Sequence, residues 1–116
     1  MTPEELRAAA AVRTWFEGLR AQSDVDPEAD PDRLPILAAF CTRVGKTPDE
    51  IVAECLRPAG DGLKIRVKGR RFYAEAIAAF QSEAAGDARE QVRWGNTVRS
   101  FLIHNGVLLQ AGLQLR

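Results

Sequence analysis

The chain has 116 residues, and sixteen Lys and Arg balance sixteen Asp and Glu, so its formal net charge is zero. That length fits one domain of the commonest size, about 100–150 residues, and an apolar fraction of 46% beside 28% charged residues excludes a disordered chain. No apolar run approaches the ~20 residues of a transmembrane helix, and MTPEELRAAAAVRTW carries early acids and no apolar core, so it does not read as a signal peptide. A cytoplasmic setting without a membrane is expected.

The neutral total conceals an asymmetry. Residues 1–62 hold seven basic and twelve acidic residues, a net of −5, whereas residues 63–116 hold nine basic and four acidic residues, a net of +5. Such a division points to a polyanionic partner or to an acidic segment.

In chain order, Thr2-Pro3-Glu4-Glu5 places an N-cap, a first-position proline and a reciprocal glutamate at the head of a first helix over about 3–21. Its buried stripe is Leu6, Ala9, Val12, Phe16 and Leu19, with Trp15 beside it. Residues 24–32, with five acids and two prolines, read as a solvated loop; it lacks the glycine and terminal glutamate of a calcium loop. A second helix over about 32–43 turns Leu34, Leu37, Phe40 and Cys41 or Val44 inward, and Gly45 ends it. Thr47-Pro48-Asp49-Glu50 repeats the first start signal and opens a third helix over 48–57.

Pro58–Gly62 reads as a second loop, and Lys64–Arg71 carries five positive charges in eight residues without an acid. Its alternation is compatible with a strand, but the helical pattern that follows favours a helix start or a basic loop. The fourth helix then runs to about 85 with Phe72, Ile77 and Phe80 as its largest apolar groups. Asp87-Ala88-Arg89-Glu90 opens a fifth, with a bend expected at Gly95-Asn96, which runs through Trp94, Val98, Phe101 and Leu102. Asn105-Gly106 closes it, and Val107 folds back on the last turn. The expected fold class is all-α, a compact orthogonal bundle of about four to five helices.

Chemistry within these residues is sparse. Cys41 and Cys55 read as buried reduced thiols, and one histidine without a CxxC offers no zinc ligand set. A nucleophile needs an adjacent base, and the only histidine, His104, lies near the end of a helix beside Asn105; phosphate-binding and nucleophile-elbow motifs are absent. Tyr73, flanked by Arg70 and Arg71, reads as a core or boundary residue before a phosphate contact. The chain is therefore expected to be no enzyme, with no catalytic residue, metal or cofactor.

Binding is better supplied. Lys64, Lys68 and Arg71 would share one helical face at i, i+4 and i+7. Arg93, Arg99 and His104 punctuate the last helix, 93 and 99 being about 600° apart and so on adjoining faces. Asn96, Thr97 and Ser100 could add hydrogen bonds to phosphate. The candidate DNA-binding residues are Lys64, Lys68, Arg70, Arg71, Arg93, Asn96 and Arg99.

Phe40-Cys-Thr-Arg-Val-Gly-Lys-Thr-Pro-Asp-Glu-Ile-Val52, Trp15-Phe16-Glu-Gly-Leu19 and Thr97-Val-Arg-Ser-Phe-Leu-Ile-His-Asn-Gly-Val107 together resemble the N-terminal, SAM-like core-binding domain of tyrosine recombinases and phage-type integrases. The likeness runs from about residue 12 to 110, mostly through helix-packing positions. It implies a domain over 1–110 that clamps one face of duplex DNA, with 111–116 a tail or the start of a linker to a catalytic domain. That second domain would supply an Arg, His-x-x-Arg and Tyr set that this sequence lacks. The implied role is in DNA integration or site-specific recombination. The partners expected are duplex DNA, the catalytic domain of a parent chain, and further copies on DNA. A helical protein–protein module, docking its positive half on an acidic partner with the apolar tail Val107–Leu115 as a seam, is the alternative.

Overall fold

The computed structural model of the chain describes residues 1–109. The capping box at Thr2 forms as expected: Thr2 Oγ1 accepts from the Glu5 N–H at 3.2 Å, and Glu5 Oε1 accepts from the Thr2 N–H at 2.8 Å. The helix it opens, α1 (Pro3–Arg7), is only five residues long. Ala9 is extended at φ −71° and ψ 139°, and a separate helix, α2 (Ala10–Ser23), follows. The expected single helix over 3–21 is therefore two. Its break is held from outside: Asp49 Oδ1 accepts from the Ala11 N–H at 2.8 Å, filling one of the donors a helix start leaves open. The break lets both Leu6 and Trp15 reach the core, where neither is exposed.

The acidic segment is more ordered than a solvated loop. It contains a 3₁₀ turn, Pro27–Ala29, with Pro27 buried, and two aspartates cap locally: Asp26 Oδ1 accepts from the Glu28 N–H and Asp30 Oδ1 from the Asp32 N–H, each at 3.0 Å. Helix α3 (Arg33–Val44) ends at Gly45, whose φ of 71° lies in the left-handed region. Helix α4 (Pro48–Cys55) starts with the second capping box, Thr47 Oγ1 accepting from the Glu50 N–H at 3.1 Å and Glu50 Oε1 from the Thr47 N–H at 2.8 Å. Thr47→Ala removes one of these bonds and is expected to lower stability by about 1 kcal/mol. Thr47→Ser should stay near the parent when the two are compared by urea midpoint.

One small sheet then interrupts an otherwise helical chain, in keeping with the broadly all-α expectation. Strands β1 (Leu56–Ala59) and β2 (Gly62–Ile65) form an antiparallel hairpin in which Leu56 pairs with Ile65, Arg57 with Lys64, Pro58 with Leu63 and Ala59 with Gly62. Two residues, Gly60 and Asp61, make its turn, and Gly60 takes φ 60°, as a II′-type connection requires of its first position. Of the basic segment 64–71, Lys64 and Ile65 are thus strand, and the rest, from Val67, is the helix start expected, while Pro58–Gly62, expected to be a loop, forms the tip of the hairpin. Helix α5 (Val67–Glu83) begins directly after the hairpin, and helix α6 (Ala88–His104) follows without interruption at the expected bend. Gly95 instead permits close contact with α5, since a Cβ there would lie 2.0 Å from Gln81 Oε1. At the end of α6, the Val107 N–H donates to the Leu102 carbonyl at 3.0 Å and Val107 is buried, the fold-back expected from Asn105-Gly106.

Trp15, Phe40, Tyr73 and Phe101 are fully buried and form the centre with Leu37, Ile51, Ile77 and Leu102. The Trp15 and Phe101 rings meet edge to face with centroids 5.6 Å apart, and Phe40 meets Phe80 the same way at 5.3 Å. Phe72, one of the largest apolar groups of α5, is 56% exposed, and its neighbour Tyr73 takes the core position. Among the described residues no helix is long and apolar enough to cross a membrane. Among the described residues the chain is mostly helical, with one small sheet. The tail from 110 onward, including the 111–116 segment and most of the apolar seam, lies outside the described residues.

Candidate nucleic-acid interface

Folding divides the basic residues into two groups, those facing a carboxylate and those facing none. Three of the five acids of segment 24–32, namely Glu28, Asp30 and Asp32, pair with the first group. Arg7 meets Glu28 at 2.8 Å, Arg33 meets Asp30 at 3.9 Å, and Arg93 meets Asp30 at 3.3 Å and Asp32 at 2.9 Å. Arg43 holds Glu83 through two hydrogen bonds of 2.8 and 2.7 Å, and Lys46 meets Glu54 at 3.0 Å.

In the second group Arg13, Arg20, Arg89 and Arg99 are scattered over α2 and α6, and the other six described members lie in one stretch. Residues 56–72 carry six basic residues and a single acid, Asp61, for a net charge of +5. Of the six, Arg57, Lys64, Lys68, Arg70 and Arg71 have no ion pair or side-chain hydrogen bond among the described residues. Arg66 differs, its Nε donating to the Leu56 carbonyl at 3.2 Å and so tying the base of the hairpin to the start of α5. A second tie is the Arg66 N–H, which donates to the Cys55 carbonyl at 2.7 Å. A third is Gly69, which lets α5 lie against the last turn of α4: a Cβ there would stand 1.9 Å from the Glu54 carbonyl oxygen. The charged stretch is therefore mounted on the core.

Directly opposed residues of an antiparallel pair point to the same side of the ribbon. One face of the hairpin is thus Leu56, Pro58, Leu63 and Ile65, and the other is Arg57, Ala59, Gly62 and Lys64. Leu56 is buried and Ile65 half-buried, so the base of the apolar face rests on the body of the protein, while Pro58 and Leu63 nearer the tip are exposed; Arg57 and Lys64 are exposed on the other face.

Of the sequence candidates, Lys64, Lys68, Arg70 and Arg71 lie together on the hairpin and the first turns of α5. Lys64 belongs to a strand, so it does not continue a helical stripe with Lys68 and Arg71. The remaining three are elsewhere and already engaged. Arg93 is ringed by Asp30, Asp32 and Glu90, the last at 2.8 Å. Arg99 Nη1 donates to Gln81 Oε1 at 2.8 Å and to Asn96 Oδ1 at 3.0 Å, and burial holds its guanidinium below the usual arginine range. Gln81 lies ten residues beyond Arg71, about 15 Å along α5, so the Arg99 group and the hairpin group do not form one patch. Thr97 and Ser100 are also occupied, Thr97 Oγ1 donating to the Arg93 carbonyl and Ser100 Oγ accepting from Trp15 Nε1. His104 Nδ1 sits 2.9 Å from the Ser100 carbonyl and Nε2 3.1 Å from Gln22 Oε1.

Sequence reading missed Arg57. It follows a helix and precedes a proline, and only the register of the hairpin sets it beside Lys64. Tyr73 is buried, as its core-or-boundary reading expects: its hydroxyl donates to Glu54 Oε1 at 2.5 Å, and burial together with that carboxylate raises the phenol's pKa. Glu54, bonded to Tyr73 and to Lys46, is correspondingly held below its ordinary value. The two thiols are buried, and burial pushes Cys41 up to about 12 and Cys55 up to about 11. At neutral pH, the phenol and both thiols stay protonated. No protein-family model, curated protein or solved structure matches the chain.

Proposed function

We propose that this chain is a non-catalytic, SAM-like domain that holds duplex DNA through its phosphates, in the manner of a tyrosine-recombinase core-binding domain serving integration or site-specific recombination. The observation that carries this reading is the set of five cations on the hairpin and α5 that face no carboxylate, while five basic residues elsewhere do.

Two local rules are broken in that set. Like charges directly opposite on a hairpin destabilise it, yet Arg57 opposes Lys64. Cations near a helix N-terminus oppose the helix dipole, yet the first turn of α5 holds Lys68 and Arg70 with no acid. A sequence that keeps such costs in one place is consistent with a function there, and a polyanion relieves both at once. The protonated, buried Tyr73 and cysteines suit a domain that binds without reacting.

The protein–protein alternative needs an acidic surface free to meet the basic one. Asp30 and Asp32 are already bound to Arg93 and Glu28 to Arg7, which weakens it. The test is anisotropy of a labelled duplex of about 20 bp across a salt series, where neutralising about five phosphates should give a log–log slope of roughly −4 to −5. A flat response, with light scattering showing a salt-sensitive dimer, would reject DNA in favour of the interaction module.

A further inference from the structure

We infer that the β1–β2 hairpin enters the major groove and that Arg57 and Lys64 read guanine there, so that the domain prefers G·C-rich duplexes. This rests on the DNA-binding reading and adds a direct contact with bases.

Three features of the ribbon support it. The first is its outward face. Arg57 and Lys64 are paired across the strands, and the next pair toward the tip is Ala59 with Gly62. The two long cations therefore stand clear of any bulky neighbour, unpartnered among the described residues. An Arg or Lys in a groove donates to guanine O6 and N7, the commonest specific contact in protein–DNA recognition.

The second is size. Backbones about 4.8 Å apart, with their side chains, make a ribbon near 10 Å across; the ~12 Å major groove admits this, whereas the ~6 Å minor groove must open to take it. The third is Asp61 in the turn. A carboxylate at the leading end is repelled by the acceptor-lined minor groove but can accept from the cytosine N4 amino group, which lies in the major groove. The same base pair thus offers acceptors to Arg57 or Lys64 and a donor to Asp61. In this arrangement Lys68, Arg70 and Arg71 on α5 face the flanking phosphates and fix the register without reading sequence.

The experiment compares three duplexes of equal length, about 20 bp, at one salt concentration. One is G·C-rich, one is all A·T, and one repeats the G·C-rich sequence with 7-deazaguanine, which removes the N7 acceptor and leaves the charge unchanged. The expected result is roughly 5- to 100-fold tighter binding to the G·C-rich duplex than to the A·T duplex. Most of that preference should be lost on 7-deaza substitution. Arg57→Ala and Lys64→Ala should each reduce the preference, with the salt slope falling by no more than about 1. Equal affinity for all three duplexes with an intact salt slope would overturn base reading and leave phosphate binding standing. Absence of salt-dependent binding to any duplex would overturn both readings. Binding to phosphatidylserine vesicles instead, lost on changing the 64% exposed Leu63 to Ala, would reassign the surface to a membrane.

Discussion

Gly69→Ala is expected to lower the stability of the domain by about 2–4 kcal/mol, although the position lies inside a helix where alanine is otherwise preferred by about 1 kcal/mol. The added Cβ would fall 1.9 Å from the Glu54 carbonyl oxygen, 2.8 Å from its carbonyl carbon and 3.4 Å from Cys55 Cα. All three are backbone atoms, and Cys55 is itself buried, so no rotamer change relieves the clash. Helix α5 must retreat from α4 by roughly an ångström or more, and packed interiors resist such shifts. The retreat stretches the Tyr73–Glu54 hydrogen bond and the Arg66–Cys55 backbone bond, so the hairpin should loosen with it. Gly95→Ala is the informative comparison. Its Cβ comes equally close, at 2.0 Å, but to Gln81 Oε1 and then to Arg99 Nη1 at 2.8 Å, both ends of flexible side chains. Its cost should be smaller. Urea midpoints of the two variants check the ranking, and a Gly69→Ala midpoint equal to the parent would mean that α4 and α5 are not so closely apposed.

What was legible beforehand follows from the range of the interactions concerned. The capping boxes at Thr2 and Thr47 and the closure at Asn105-Gly106 each lie within six residues, and all formed as read. The break between α1 and α2 depends on Asp49, thirty-eight residues beyond the Ala11 N–H it accepts from, and four consecutive alanines at 8–11 give no local sign of it. The hairpin had its local marks in the alternation of Leu63, Lys64 and Ile65 and in Gly60. The strong helical pattern beginning two residues later outweighed them. Tyr73 is buried, in line with its reading as a core or boundary residue, whereas Phe72 beside it is exposed. One residue is about 100° of helix rotation, and Tyr73 faces inward because Glu54 on α4 can take its hydroxyl proton, which no spacing within α5 reveals.

The candidate site divides along the same line. Lys64, Lys68, Arg70 and Arg71 are near one another in sequence and remain so in space. Arg93 and Arg99 belong to the same positive half of the chain, but charge summed over a window records no partner. Asp30 and Asp32, about sixty residues upstream, account for the first, and burial against Gln81 accounts for the second. The partition into −5 and +5 was real, yet only part of the +5 lies where a polyanion could meet it.

The double variant Lys68→Glu/Arg71→Glu should therefore weaken duplex binding by about 100-fold or more at low salt and lower the magnitude of the salt slope by about 2. Both side chains are exposed and lack a partner among the described residues, and each replacement removes one phosphate contact and adds a repulsion. Unfolding cannot account for the loss. Lys68 is the second residue of α5, where a carboxylate interacts favourably with the helix dipole, so the variant should be at least as stable as the parent. Arg93→Ala supplies the opposite pattern. It strips the counter-charge from Asp30, Asp32 and Glu90, an exposed network whose loss lowers stability slightly, yet it should leave duplex affinity unchanged. Anisotropy and thermal melting of the two variants then separate the cations that serve DNA from those that serve the fold. If Arg93→Ala abolishes binding while Lys68→Glu/Arg71→Glu does not, the interface lies on α6 and the acidic segment must be displaced to expose it.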